Sequence, residues 1–66
     1  MTPAYGLVAL PLPLAQPYTY QVPESLADRV VPGARVVVPV RQRELIGIVT
    51  GLTDSPPTQR AREILA

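Results

Sequence analysis

Residues 30–51, VVPGARVVVPVRQRELIGIVTG, hold two apolar, β-branched runs separated by a short polar loop. Val36, Val37, Val38 and Val40 form the first run, Leu45, Ile46, Ile48 and Val49 the second, and Arg41, Gln42, Arg43 and Glu44 lie between them. Runs of this length with this punctuation read as the two arms of one β-hairpin. Pro32-Gly33 opens it: proline presets φ and glycine accepts the positive φ of a tight turn, so the first arm is expected to start at about Ala34. The rest of the chain is shorter-grained and broken by prolines, which makes this hairpin the core against which the other segments must pack.

Alternation along the first arm places Arg35, Val37 and Pro39 on one face and Val36, Val38 and Val40 on the other. Both faces therefore carry apolar residues. A strand apolar on both sides needs cover on both, from closure of a barrel or from a neighbouring domain. In the second arm Gly47 and Gly51 are expected on one face, leaving gaps that suit a bend, a bulge or a close backbone approach.

A chain of 66 residues is one small domain, and domains of that size bury only about 60% of the surface their unfolded chains expose. Cysteine and histidine are both absent, which removes disulfides, thiolate and imidazole metal ligands, and Cys or His nucleophiles, and points to an intracellular protein. The carboxylates Glu24, Asp28, Glu44, Asp54 and Glu63 are scattered, and neither a glycine-rich phosphate loop nor a nucleophilic serine motif is present. No catalytic residue, metal site or cofactor is expected, and the chain is not expected to be an enzyme. The net charge of +1 does not by itself advertise a nucleic-acid ligand. All six cations are arginine (Arg29, Arg35, Arg41, Arg43, Arg60, Arg62), the residue better suited to bidentate phosphate contacts and base stacking; the plain alternative is a set of solvated arginines from a GC-rich coding sequence.

Tyr5-Gly6-Leu7-Val8-Ala9-Leu10 reads as a first strand ended by Pro11 and Pro13, which cannot donate to a ladder. The same prolines, with no basic segment before them, argue against a secretory signal and against a transmembrane helix. Leu10, Leu12 and Leu14 are expected to lid a small core rather than to serve as a polyproline ligand. Residues 16–22 alternate as a strand with Tyr18, Tyr20 and Val22 on one face. Two half-buried core tyrosines would be the ordinary outcome for such a pair, and a ring offered to a nucleic-acid base the functional one. Residues 23–29 form a connector with at most one helical turn. Thr53-Asp54-Ser55-Pro56-Pro57 is turn chemistry, and residues 58–66 read as the start of a helix or a final short strand. With no glycine or asparagine closing that end, residues 1–66 are expected to be a single-domain fragment of a longer protein that continues beyond residue 66.

Taken in order, residues 8–14 (VALPLPL), Tyr18-Thr19-Tyr20, Val22-Pro23, residues 32–39 (PGARVVVP) and Ile46-Gly47-Ile48-Val49 resemble the amino-terminal domain of the PriA family, the primosomal protein N-prime, a bacterial replication-restart helicase. The resemblance implies binding of the 3′ end of the nascent leading strand at a stalled fork, independently of sequence, in a pocket for the terminal nucleotide. It implies an aromatic at Tyr18, an acid at the position of Thr19, a glycine at Arg41 and a lysine at Arg62, with Arg43 beside them in the loop. Tyrosine keeps the stacking face and arginine keeps the cation. Threonine offers a neutral hydrogen bond about half as strong as a carboxylate's, so weak discrimination between 3′ hydroxyl and 3′ phosphate ends is expected.

The expected fold is mainly β, a small twisted antiparallel sheet or partly open OB-like barrel with little helix. The expected DNA-binding residues are Tyr18, Thr19, Arg41, Arg43 and Arg62. DNA with a 3′ end is the expected partner, other primosome proteins are further partners the resemblance implies, and the domain is expected to be a cytoplasmic, nucleoid-associated monomer with no membrane contact. Helicase activity would belong to a later part of the parent. Two other readings stay open at this point: a protein-docking domain that uses the two-faced apolar strand, and a small RNA-binding barrel.

Overall fold

A computed structural model describes residues 4–13, 16–57 and 60–66. Among them are four strands, β1 (Tyr5–Ala9), β2 (Tyr18–Gln21), β3 (Arg35–Val40) and β4 (Arg43–Thr53), and a single turn of 3-10 helix, Glu24–Leu26, in the connector after β2. The strands make one antiparallel sheet in the order β2-β1-β4-β3, curled into a half-barrel. The mainly β, OB-like architecture expected from the sequence is thus the one found.

β3 and β4 form the expected hairpin, in register from Arg35 opposite Ile48 to Val40 opposite Arg43. Its loop is shorter than the four polar residues suggest, because Arg43 and Glu44 join the ladder and leave only Arg41 and Gln42 in the turn. Two-residue hairpin turns follow the right-handed twist of their strands by placing a residue at positive φ. Arg41 takes that position, with φ 57°. At the other end Gly33 has φ 91°, its N–H donates to the Val49 carbonyl (2.7 Å), and the Val49 N–H donates to the Ala34 carbonyl (2.9 Å). The Pro32-Gly33 turn therefore feeds the chain directly onto β4.

β1 pairs with β4 as well as with β2, and its register on β4 shifts between Leu7, opposite Gly51, and Val8, opposite Val49. Thr50 is the extra residue of a bulge, and its hydroxyl donates to the Leu7 carbonyl (3.3 Å). The shift reverses the alternation of β4. Gly47 and Gly51 consequently lie on opposite faces, contrary to the expectation from simple counting: Gly51 is beside Leu7 on the outer face, whereas a Cβ on Gly47 would collide with Val8 Cγ1 and stand 2.9 Å from the Ala9 carbonyl. Only glycine permits that approach of β1 to β4.

The interior is filled by Val8, Tyr20, Val30, Val36, Val38, Val49 and Ile64. Leu10 packs against this cluster, whereas Leu12 is exposed, β1 having ended at Ala9; Leu14, the third leucine of the expected lid, lies outside the described residues. Ile64 comes from the closing segment, which is neither helix nor ordinary hairpin strand. It runs extended between the two sheet edges: the Gln21 N–H donates to the Arg62 carbonyl (2.8 Å) and the Ile64 N–H to the Gln21 carbonyl (3.0 Å), while the Val37 N–H donates to the Ala66 carbonyl and the Leu65 N–H to the Val37 carbonyl (both 2.8 Å). Residues 62–66 thus bind the free edges of β2 and β3 together, satisfying backbone groups that an open sheet would leave bare. That is the barrel closure the two-faced strand called for on its inner side. The outer side stays open, with Ile46 63% and Ile48 49% exposed.

Candidate nucleic-acid interface

β2 carries two tyrosines at a spacing that puts them on one face, yet their surroundings differ. Tyr20 is 3% exposed and belongs to the core, where its hydroxyl donates to the Pro39 carbonyl at 2.9 Å. Burial holds its phenol above the ordinary tyrosine value, with Tyr18 adding to the effect and the Arg62 guanidinium opposing it. Tyr18 is 41% exposed. Its ring stands 6.3 Å from that of Tyr20 at a 43° tilt, within the range of favourable aromatic pairs, so the buried ring braces the exposed one.

Tyr18 forms one wall of an open pocket of about 500 Å³. Thr19 and Tyr20 continue that wall, Pro39, Val40 and Arg41 form a second, and the segment after the Pro56-Pro57 turn supplies the third, with Arg60 and Arg62. The closing segment and the hairpin turn are tied at this point, where Arg62 Nη1 donates to the Arg41 carbonyl at 2.9 Å. That bond fixes a guanidinium at the rim and steadies the turn. An adjoining groove of about 400 Å³ shares Pro39, Arg41 and Arg62 with the pocket and adds Arg43, Glu44 and Glu63.

Four of the five expected binding residues, Tyr18, Thr19, Arg41 and Arg62, thus line one pocket although they come from three separate stretches of chain, and the fifth, Arg43, lies in the adjoining groove. Arg60 was missed. The signal for it was present, since residues 60 and 62 of an extended segment point the same way, but it required knowing that the segment is extended. The arrangement has an exposed aromatic face, a hydroxyl, and three arginines around an open cleft. Those are the elements of sequence-independent nucleic-acid binding, stacking plus phosphate neutralisation.

The family model for the PriA 3′ DNA-binding domain matches residues 7–66. The chain belongs to that family. No curated protein and no solved structure matches it. Membership makes this a DNA-binding module of the PriA type, and DNA its partner. Among the described residues there is no group of three or more His, Cys, Asp or Glu side chains placed to hold a metal ion, and no helix long and apolar enough to cross a membrane. Arg41, where the resemblance implied a glycine, is the one non-glycine residue at positive φ among the described residues, a conformation that glycine adopts with least strain.

Proposed function

We propose that this domain recognises the 3′ end of the nascent leading strand at a stalled fork, as a cytoplasmic, nucleoid-associated monomer that passes the fork to other primosome proteins. The terminal base stacks on Tyr18, the end of the sugar meets Thr19, and the phosphates leading to it run past Arg41, Arg60 and Arg62 toward Arg43. The observation that carries this reading is the convergence of Tyr18, Thr19, Arg41 and Arg62 on a single pocket. Base stacking on an aromatic is worth roughly 1–3 kcal/mol. Tyr18→Ala should therefore weaken binding of fork DNA by about ten-fold with the unfolding midpoint unchanged, whereas Tyr20→Ala should unfold the domain; fluorescence anisotropy and thermal unfolding measure the two. Unchanged affinity in Tyr18→Ala would remove that ring from the site.

One observation favours a second reading. Ile46 and Ile48 expose a hairpin face beside Val37, which suits docking on a protein. Salt separates the two: phosphate contacts make affinity fall steeply as salt rises, and apolar docking does not.

A further inference from the structure

β2 and β3 are the outermost strands of the sheet, and the closing segment crosses from one to the other between Leu65, whose N–H donates to the Val37 carbonyl, and Ile64, whose N–H donates to the Gln21 carbonyl. With Val37 opposite Ala66, the same register would set Pro39 opposite Ile64. Ile64 has turned to β2 instead. Alternation along β3 points the Pro39 carbonyl to the same side as the polar groups of Val37, away from β4, and proline has no N–H to leave bare there. Pro39 is buried, and a buried acceptor left without a donor is costly. Tyr20 supplies the donor: its hydroxyl, reaching over from β2 at the other end of the sheet, donates to the Pro39 carbonyl at 2.9 Å. Burial holds this phenol above the ordinary tyrosine value, so the hydroxyl keeps the proton it donates.

Tyr18, Tyr20 and Pro39 all line the pocket, so this bond joins one of its walls to another. We infer that the Tyr20 hydroxyl is a positioning group for DNA binding: through the Pro39 carbonyl it sets the spacing between the wall that carries Tyr18 and Thr19 and the wall that carries Val40 and Arg41. The inference rests on the proposed DNA-binding role of this pocket and adds a residue that acts without touching the ligand. Its role is separate from the packing of the ring, which fills the core with or without the hydroxyl. Once the hydroxyl is gone the Pro39 carbonyl must find water, and its wall moves relative to Tyr18. A pocket held at its bound width before the ligand arrives binds more tightly than one that has to be ordered by it.

Tyr20→Phe keeps the ring and removes the tie. Fluorescence anisotropy with a recessed 3′ end duplex, at a temperature where urea unfolding shows each variant folded, should give about three- to ten-fold weaker binding for Tyr20→Phe. The salt dependence should keep the slope of the unaltered domain, since no cation is lost. Gly47→Ala, destabilised at a position outside the pocket, should bind as the unaltered domain does. Linkage is reciprocal, so DNA should slow exchange of the Tyr20 hydroxyl proton in the unaltered domain by a similar factor, which NMR of the labelled protein reads without any variant having to fold. Normal affinity in folded Tyr20→Phe, an equal loss in Gly47→Ala, or hydroxyl exchange unmoved by DNA would overturn the inference, and weakened binding by Tyr18→Ala in the same series would leave the pocket standing as the DNA site. Unchanged affinity in Tyr18→Ala would overturn the site and the inference together.

Discussion

The β3–β4 hairpin and the pocket beside it are built in different ways. The hairpin's arms are neighbours in sequence, its turns are set by Gly33 and Arg41, and its register follows from the two-residue loop between Val40 and Arg43. The pocket has no such local origin: residues 16–20, residues 39–41, Pro57 and residues 60–62 reach it from distant parts of the chain. They meet because residues 62–66 hydrogen-bond to both β2 and β3 and bring Arg62 onto the Arg41 carbonyl. A pocket can thus depend on a closing segment of a few residues as much as on the strands that form most of the fold.

That contrast predicts where damage spreads. The largest effect should come from Ile64→Ala, which empties a fully buried position in the closing segment. Truncations of this kind cost about 2–5 kcal/mol, against a total stability on the order of 3–10 kcal/mol for a domain of this size. Urea unfolding should show most of the cooperative transition lost, and DNA binding with it; a normal midpoint with normal binding would mean that the closing segment is dispensable. Gly47→Ala should follow, at about 1–3 kcal/mol for overpacking, since the new methyl meets Val8 and the Ala9 backbone. Its loss should appear in stability while the affinity of the folded fraction stays the same. The smallest effect should come from Arg41→Gly, which relieves a non-glycine residue at positive φ and should raise stability by about 1 kcal/mol or less. Removing that guanidinium should also flatten the salt dependence of DNA binding by about one unit of slope. An unchanged slope would place Arg41 outside the phosphate path.

The same contrast explains what could be read from the sequence. The hairpin, the Pro32-Gly33 turn and the first strand were legible because each depends on neighbouring residues. Alternation put Tyr18 and Tyr20 on one face, but which ring is buried depends on Pro39, whose carbonyl receives the Tyr20 hydroxyl from a distant strand. The bulge at Thr50 adds a residue without changing composition, so counting by twos carried Gly51 to the wrong face. The path of residues 60–66 was illegible for a related reason. Its pairing is dictated by the two edges left free at β2 and β3, and a short mixed sequence adopts whatever conformation those edges require. Arg60 went unnoticed with it. Family resemblance supplied four of the pocket residues without supplying the geometry that unites them.

DNA is proposed to bind in the pocket lined by Tyr18, Thr19, Arg41, Arg60 and Arg62. An amide chemical-shift titration of the labelled domain with a recessed 3′ end duplex tests it residue by residue. The largest shifts are expected at residues 18–20, 40–41 and 60–62, with the amides of Val37, Ile46 and Ile48 little changed. Shifts concentrated on Val37, Ile46 and Ile48, with the pocket residues silent, would contradict it and assign the ligand to the exposed hairpin face.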